Sequence, residues 1–377
     1  MRILFSFEYP FEPDGYGGGQ QIARGLARGL ARMGHEVHVA CTGTDRMHVA
    51  QQDAGVQYHF AGTFDRRLSS AIAARVAIGA VRRLRPEIVC SYTSEAPLVL
   101  AVARALGART MMYLAAPELP PFARLHGGWL RDVRYGVGSF MQFAGAHVAH
   151  ETVAISHWLA SQAATRWKLR AVTAIGAGLD EAMMAPAVPA PQVPPAGVRL
   201  LSIGRLALSQ KPLDRVAQAL AACSAAWSSW TIVGSGEDRA RLEAIVVRAG
   251  LSGRVTFRGT LTPAETCRAL DEHHVVILPS NHESFFITVH ESVARGRVIV
   301  TNPVAEVASE FGGIRSVVVA PSTDVAALER AITHAISSYF TLAPSALTAA
   351  GGHANRHSWD AVAGAFLRAS GYHGARP

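Results

Sequence analysis

Two short apolar runs rich in β-branched residues, Val275–Leu278 and Val298–Val300, constrain the fold of this chain more than any other feature. Runs of this length and composition are typical of strands buried inside a parallel sheet. The segment between them, 279–297, has room for a turn and one helix. The stretch from His274 to Asn302 therefore predicts a strand–helix–strand unit of an α/β fold.

Two glutamates lie in the segment that joins these strands. Glu283 follows the first strand and its turn, and ligands of open α/β sheets bind at the carboxyl ends of strands. Glu291 comes 8 residues later, about two helical turns along, at an angular offset of about 80°. Their neighbours are apolar, which argues against the alternative of two solvated side chains on a surface helix. Because an ionised carboxylate accepts hydrogen bonds from vicinal hydroxyls, the pair predicts a site for a hydroxyl-rich ligand.

The length and composition predict two folded domains. At 377 residues, with 49% hydrophobic and 17% charged residues, the chain resembles a globular protein with two cores of ordinary size. Strand and helix patterns alternate on both sides of a Pro/Ala-rich segment, 186–197, which predicts a linker. We therefore predict an α/β protein with two Rossmann-like, doubly wound domains facing across a cleft, at 1–185 and 198–350. The last helix is expected within 351–377.

The formal charge of +8 limits the classes of partner. A basic balance fits nucleic acid, an anionic membrane surface or a phosphorylated small molecule. Nucleic acid is disfavoured because no motif interleaves aromatic and basic residues. The basic helix predicted over Arg66–Arg85 is compatible with a peripheral contact at the inner face of a membrane, although a solvated basic side is the preferred interpretation.

The cysteines and the hydropathy pattern indicate the compartment. The four cysteines are scattered singly with no Cys-x-x-Cys pair, which is typical of a reduced cytoplasm and argues against a zinc site. No apolar run reaches the roughly 18 residues that a membrane span needs. The first strand is too short and too soon interrupted by polar residues for a signal peptide. We therefore expect a cytoplasmic protein without a transmembrane segment.

A glycine-rich loop, Gly15–Gly19, follows the first predicted strand and leads into a helix. Such a loop lets backbone N–H groups approach an anion at a helix N-terminus. It lacks the Gly-x-Gly-x-x-Gly spacing of a dinucleotide fingerprint, which argues against a dehydrogenase. A tight turn without a ligand remains the alternative.

Two basic residues mark the start of the second predicted domain. Arg205 follows a strand and a glycine, and Lys211 precedes the next helix, so both can point at the same carboxyl-end crevice. A guanidinium and an ammonium together suit a diphosphate. Each alone is more often a surface charge.

Taken in order, these motifs resemble the retaining, nucleotide-sugar-dependent glycosyltransferases of the GT-B fold, specifically glycosyltransferase family 4. The resemblance covers nearly the whole chain and is strongest from Leu200 to Gly313. It implies that the domain at 1–185 binds the acceptor and that the domain at 198–350 binds the nucleotide sugar. It also implies that the last helix, within 351–377, crosses back to the first domain. The matching segments are Gly17–Gly19, Ser202–Arg205 with Lys211, Val233–Glu237, and Glu283 with Glu291.

The resemblance implies a role for each of these residues. Arg205 and Lys211 would hold the donor diphosphate and act in catalysis in place of a metal, which agrees with the lack of an Asp-x-Asp pair. Glu291 would bind the ribose, and Glu283 would act on the transferred sugar. The donor, most simply UDP- or GDP-linked, would be the substrate, with no cofactor and no metal. The remaining donor-binding residues implied are Gly17, Gly18, Gly204, Gly234, Arg258, Gly259, Ser284, Phe285, Phe286 and Ile287.

The chain departs from the family pattern at three places. Phe286 stands where the family often has glycine, which predicts a reshaped donor pocket. A histidine common after the strand at Thr110–Leu114 is missing, and Glu118 is the acceptor-side candidate there, with a solvated carboxylate as the alternative. Gly176–Gly178 replaces the usual Pro-Asn-Gly.

The resemblance therefore implies transfer of a sugar to an acceptor hydroxyl with retention of anomeric configuration and without a metal. The acceptor would be a sugar, a lipid-linked sugar or a small natural product such as an aminocyclitol. Two alternatives remain on the same fold, which are a catalytically silent nucleotide-sugar-binding protein and a nucleotide-sugar epimerase. A phosphorylase is disfavoured because it needs a much longer chain.

Overall fold

The chain divides between Gly178 and Leu179, and again between Ser358 and Trp359. The first unit comprises residues 1–178 and 359–377, and the second comprises 179–358. The computed structural model describes residues 1–9, 18–43, 52–63, 69–115 and 129–371.

The first unit is built on one sheet with helices between its strands. Its elements are, in chain order, β1 (Arg2–Ser6), α1 (Gly18–Arg32), β2 (Glu36–Gly43), β3 (Gln52–Asp53), β4 (Val56–Thr63), α2 (Ser69–Leu84), β5 (Ile88–Ser91), α3 (Ala96–Ala105), β6 (Arg109–Leu114), α4 (Trp129–Val148), β7 (Glu151–Ala154), α5 (His157–Trp167) and β8 (Thr173–Ala174).

This sheet is doubly wound. Its strand order is β3-β4-β2-β1-β5-β6-β7-β8, and every pairing is parallel except that of β3 with β4. The order reverses direction between β1 and β5, which makes this the topological switch point of the sheet. Strands β1 and β5 are almost fully buried, which explains their continuous apolar sequence.

The second unit repeats the same plan with six strands. Its elements are β9 (Val198–Ile203), α6 (Leu213–Ala222), β10 (Trp227–Val233), α7 (Arg239–Arg248), β11 (Val255–Gly259), α8 (Pro263–Glu272), β12 (Val275–Ile277), α9 (Ile287–Ala294), β13 (Val298–Thr301), α10 (Val307–Phe311), β14 (Val317–Val319), α11 (Val325–Ser337) and α12 (Tyr339–Arg356). After it, α13 (Trp359–Ala369) belongs to the first unit.

All strands of the second sheet are parallel, in the order β11-β10-β9-β12-β13-β14. Counted from β9, this is the 3-2-1-4-5-6 order of a Rossmann sheet, with its switch point between β9 and β12. Trp230 lies fully buried at the centre of β10, and its indole N–H donates to Ser202 Oγ at 3.0 Å. The predicted α/β fold with two doubly wound sheets is confirmed.

The Pro/Ala-rich segment does not lie where the units divide. The sequence predicts a linker between the two domains at 186–197, yet these residues belong to the second unit. The reason is a set of buried contacts: the Arg297 side chain, 1% exposed, donates to the Val188 carbonyl, and a ring nitrogen of His274 lies 2.9 Å from the Pro191 carbonyl oxygen. Ala190 and Val193 pack on the adjoining core.

Several helices and strands differ from the sequence pattern. The pattern indicated neither β3, β4 nor α4. Helix α12 was also missed, because Pro344 and a Gly-Gly pair interrupt its sequence. As a result, residues 351–358 end the second unit instead of starting the crossing helix.

The described residues contain no helix that is both long and apolar enough to cross a bilayer.

Trp359, at the start of α13, packs against glycines of the first unit. A Cβ atom added at Gly25 of α1 would lie 2.0 Å from the indole ring, and one added at Gly178 would lie 2.3 Å from it. Further along α13, the Phe366 ring is fully buried with its centroid 5.6 Å from that of Phe5 in β1. These contacts fix the terminal helix to the first sheet.

The packing of Trp359 predicts opposite effects for two glycine substitutions in helices of the first unit. Gly25→Ala is expected to destabilise the protein by about 1–3 kcal/mol, because its methyl group displaces the indole ring. Gly79→Ala in α2 is the matched control: no atom lies within 4 Å of its added Cβ. The control should be neutral or stabilising by up to about 1 kcal/mol through helix propensity. Thermal unfolding of both variants tests this, and equal effects would contradict it.

Candidate functional site

The switch point of the second sheet brings together the residues singled out in that half of the sequence. Gly204 and Arg205 directly follow β9, and Ser280 and Glu283 follow β12, its neighbour in the sheet. In open α/β sheets the crevice between two such strand ends is the usual ligand site.

Lys211 and Glu283 form an ion pair at this point. The Lys211 ammonium donates to Glu283 Oε1, and the two side chains are only 12% and 14% exposed. Ser280 Oγ donates to the same carboxylate oxygen at 2.9 Å. The ammonium nitrogen also lies 3.7 Å from the ring centroid of Phe286, a cation–π distance. Burial lowers the pKa of Lys211, and the adjacent Glu283 carboxylate opposes that shift.

The loop that carries Lys211 is tied to the loop that carries Glu283. The Asn281 backbone N–H donates to the Gln210 carbonyl, and the Asn281 side-chain amide donates to the Ser209 carbonyl, each at 2.8 Å. Ser280 is in turn held to Asn302, after β13, by two hydrogen bonds of 2.8 Å. Hydrogen bonds between backbone groups and the Asn281 and Asn302 side chains thus join three segments.

The glycines after β9 and β10 allow these segments to approach closely. Gly234 has a φ of +130°, and a Cβ there would lie 1.9 Å from the Gly204 carbonyl oxygen. Its N–H donates to the Gly259 carbonyl at 2.8 Å. Only glycine fits at Gly234, so this predicted residue has a clear structural role. The Lys211 side chain passes over Gly204. A Cβ atom added at Gly204 would lie 3.6 Å from Lys211 Cε.

Arg205 is exposed at the end of β9. No acceptor among the residues that the structure describes contacts its guanidinium group, so the group is available to an anionic ligand. Arg258, on β11, is also exposed and lies 3.7 Å from Glu272. The structure therefore brings Lys211 and Glu283 into contact, and it places Arg205 at the neighbouring strand end.

Glu291 lies in α9 and keeps part of its side chain exposed. Burial of the carboxyl group among protein atoms raises its pKa to about 8, and the nearby Asp180 carboxylate adds to the shift. The sequence interpretation assumed an ionised carboxylate, and the free protein instead favours the protonated form at neutral pH. A protonated carboxyl can both donate and accept a hydrogen bond from a hydroxyl.

The Phe286 ring is buried. The predicted reshaping of the donor pocket at this residue stays a prediction. The Phe286 side chain is 2% exposed, packs in the core below the sheet edge and supports Lys211. Its φ is −86°, so the backbone here does not need glycine. Glu283, Ser284 and Phe285 all precede α9, which begins at Ile287, so the helical offset assumed between the two glutamates does not apply.

The switch point of the first sheet carries a second polar cluster, which the sequence interpretation missed. Glu8 follows β1, and Thr93 and Glu95 follow β5. The buried Glu95 carboxylate accepts hydrogen bonds from Ser6 and Ser91 at 2.9 Å and from Thr93 at 2.6 Å. Thr93 Oγ1 also accepts from the Glu8 N–H at 2.9 Å. Ser6 and Ser91 end their strands, and Glu8, Thr93 and Glu95 follow within four residues, which is the signal that could have identified the cluster.

Two predicted residues, Gly17 and Glu118, lie outside the described residues. Gly18 is the first residue of α1.

The pairing of Lys211 with Glu283 predicts a measurable coupling. Lys211→Met and Glu283→Gln should each destabilise the protein by about 1–3 kcal/mol, because each leaves a mostly buried polar partner unmatched. The double variant should lose less than the sum of the two. The exposed Arg239–Glu243 pair on α7, 43% and 44% exposed, is the control and should couple by less than about 1 kcal/mol. For each pair, chemical denaturation gives the free energy of unfolding of the parent, the two single variants and the double variant. Purely additive losses of this free energy at Lys211 and Glu283 would contradict the prediction.

Glu95 predicts a pH dependence of stability. Burial raises its pKa above the ordinary 4.5, although the three hydroxyl donors oppose the shift. The folded state therefore holds this proton more tightly than the unfolded state, and the free energy of unfolding falls as pH rises above about 4.5. Glu95→Gln cannot ionise and removes this contribution. The melting temperature of the variant relative to the parent should increase from pH 5 to pH 8, whereas exposed Glu87→Gln should show no such trend.

Two family profiles match the chain. The profile "Glycosyltransferase Family 4" matches residues 16–182, and "Glycosyl transferases group 1" matches residues 197–338. Together they span both units and most of the sequence.

Curated proteins with a similar sequence come from two Streptomyces species. The chain is 29% identical over 138 residues to 2-deoxystreptamine N-acetyl-D-glucosaminyltransferase of Streptomyces fradiae. It is 30% identical over 132 residues to 2-deoxystreptamine glucosyltransferase of Streptomyces kanamyceticus. These alignments cover 36% and 34% of this chain and 33% and 34% of the relatives, so the chain aligns with about a third of the length of the curated relatives it matches.

The fold is shared with solved glycosyltransferase structures. WaaG, a glycosyltransferase involved in lipopolysaccharide biosynthesis, matches 99% of this chain and 100% of its own, with a TM-score of 0.71 and 15% identity. Anabaena HepE in complex with UDP-glucose matches 99% of this chain and 100% of its own, with a TM-score of 0.72 and 17% identity. This likeness shows the GT-B fold, and the two profiles supply the sequence relationship. The chain therefore belongs to the family 4 type of glycosyltransferases.

Proposed function

We propose that this protein transfers a sugar from a nucleotide-diphosphate sugar to an acceptor hydroxyl, with retention of anomeric configuration. The observation that carries the proposal is the Lys211 ammonium held at the switch point of the second sheet by Glu283, with the exposed Arg205 at the end of β9. Membership of the family and the nucleotide sugar named with Anabaena HepE support it.

The two cations are proposed to stabilise the departing nucleoside diphosphate. Charge builds on the phosphate oxygens as the bond to the sugar breaks, and fixed donors aimed at developing charge lower the barrier. Lys211 is fixed by Glu283 and Phe286, so little reorganisation is needed when a phosphate approaches. In this proposal the cations supply the charge that a divalent metal supplies elsewhere, and no added Mg²⁺ or Mn²⁺ is required for transfer.

The two glutamates are proposed to recognise the hydroxyls of the donor. Glu283 follows β12 beside the phosphate-binding cations, where the transferred sugar would lie. Glu291, on the helix that follows, would bind the ribose. Its raised pKa lets the free protein hold a carboxyl group that matches hydroxyls either as donor or as acceptor.

The acceptor is proposed to be a small aminocyclitol. Both curated relatives are named for 2-deoxystreptamine, which carries amines and hydroxyls. Glu8, at the switch point of the first sheet, offers a carboxylate that suits a protonated amine; its Oε1 accepts a 2.6 Å bond from Ser69. A cytoplasmic location is part of the proposal, and it agrees with the four free cysteines.

The direct test is to incubate the protein with UDP- and GDP-linked sugars and with 2-deoxystreptamine, without added divalent metal. The proposal predicts a glycosylated product, and NMR of the new anomeric centre should show the donor's configuration. Binding of the donor with neither transfer nor hydrolysis would favour a silent binding protein. Conversion of the donor sugar without an acceptor would favour an epimerase.

Substitution of either of the two cations, Lys211 or Arg205, should slow the transfer reaction. Lys211→Ala and Arg205→Ala are each expected to lower kcat/KM by about 100–1000-fold, the usual loss when one donor to a developing charge is removed. Arg248→Ala, at an exposed position on α7, is the matched control and should leave turnover unchanged. Unchanged turnover in Lys211→Ala would contradict the proposed role.

A further inference from the structure

Three histidines and a glutamate from three helices of the second unit converge on one point. His290 lies in α9, Glu310 in α10, and His353 and His357 at the end of α12. We propose that these four side chains form a structural binding site for one Zn²⁺ ion. The site is separate from the proposed transfer reaction and does not depend on it.

The spacing of the ligand atoms fits a four-coordinate metal. One nitrogen or oxygen from each residue lies within 4.8 Å of all the others. Glu310 Oε1 lies 3.4 Å from His357 Nε2 and 3.8 Å from His290 Nδ1. Around a tetrahedral Zn²⁺ with bonds of about 2.0–2.1 Å, neighbouring ligand atoms are about 3.3–3.5 Å apart. Small side-chain movements would therefore complete the coordination.

Three buried ring nitrogens of the cluster have no hydrogen-bond partner among the described residues. His290 is completely buried, and neither of its ring nitrogens has a hydrogen-bond partner in the described structure; Nε2 of the almost fully buried His353 is in the same condition. A polar atom in the interior without a hydrogen-bond partner destabilises the folded state. A metal ion at the centre of the cluster would bind one nitrogen of each ring and remove part of this cost.

Two of the histidines have a spacing that suits one metal ion. His353 lies in the last turn of α12, and His357 follows four residues later, directly after the helix. Two histidines at this spacing can place their imidazoles on the same ion.

The surroundings favour a structural zinc site over a catalytic one. The Phe285 ring stacks on His290 with centroids 4.1 Å apart, and Phe311 lies against His290 and His353 at 4.9 and 5.6 Å. Four protein ligands leave no open position for substrate, which is the pattern of structural zinc. Imidazole with one carboxylate suits zinc better than the oxygen-preferring Mg²⁺ or Ca²⁺.

The site would fix the helix that carries Glu291. His290 is the residue before Glu291, and the ion would tie α9 to α10 and to the end of α12. This proposal departs from the expectation of no metal, which rested on the scattered cysteines. The histidines are spread over 290–357, so their convergence becomes visible only in the fold.

Metal content and thermal stability of the full chain test the proposal. The purified protein, stripped with a strong chelator and titrated with Zn²⁺ alone, should bind about one ion per chain. Its melting temperature should rise by about 5–10 °C when zinc is a hundredfold above Kd. His357→Gln, at the most exposed of the three histidines, should weaken zinc binding more than about 100-fold, because loss of even an outer partner costs about 10–100-fold. His334→Gln, an exposed histidine on α11, is the matched control and should bind zinc as the parent does.

The outcomes are independent of the transfer reaction. A parent protein that binds less than about a tenth of an equivalent of zinc, or that gains no thermal stability from it, overturns the proposal. Equal zinc affinity of the parent and the His357→Gln variant overturns it as well. Because the assay contains no nucleotide sugar, its failure would leave the proposed transferase function standing, and failure of transfer would leave the zinc result standing.

Discussion

The second unit depends on one ammonium group that is held away from water. Lys211 lies over the Phe286 ring and bonds to Glu283, so its charge is matched on one side and oriented on the other. Glu283 and Phe286 both lie in the loop after β12. Two hydrogen bonds between Ser280 and Asn302 hold this loop in place. The position of the charge is therefore set by contacts with residues after β12 and not by the flexible lysine side chain alone. A phosphate that approaches the switch point meets a cation already in place.

Both sheets place their polar clusters at the same topological position. In the second sheet the cluster follows β9 and β12, and in the first it follows β1 and β5. Parallel strands leave their carboxyl ends at one edge, and reversal of the winding direction opens a gap between the loops there. Glu95, with three hydroxyl donors, fixes the loop after β5 as Ser280 fixes the loop after β12. The same constraint thus places a polar cluster at the switch point of each sheet.

The sequence predicted the features that depend on a local residue pattern. It missed the features that depend on segments far apart in the chain that folding brings together. The apolar run Val275–Leu278 was recognisable from its composition, and Arg205 and Glu283 could be assigned to the segments after two strands. The contact between Lys211 and Glu283 becomes visible only in the fold. Burial of Phe286 was not predictable, since a residue beside a ligand loop can turn towards either the core or the solvent. The raised pKa of Glu291 depends on tertiary burial and on Asp180, which is 111 positions away along the chain (291 − 180). The histidines around His290 are likewise brought together only by the packing of α9, α10 and α12.

The proposed role of Lys211 and Arg205 is to bind a nucleoside diphosphate at the switch point of the second sheet. This role is tested by the melting temperature of the protein with a panel of nucleoside diphosphates and nucleotide sugars, without added metal. A ligand that binds only the folded state raises this temperature by mass action. We expect a rise with one nucleoside diphosphate and its loss in Arg205→Ala. No rise with any member of the panel, or an equal rise in the variant, would rule out the proposed role.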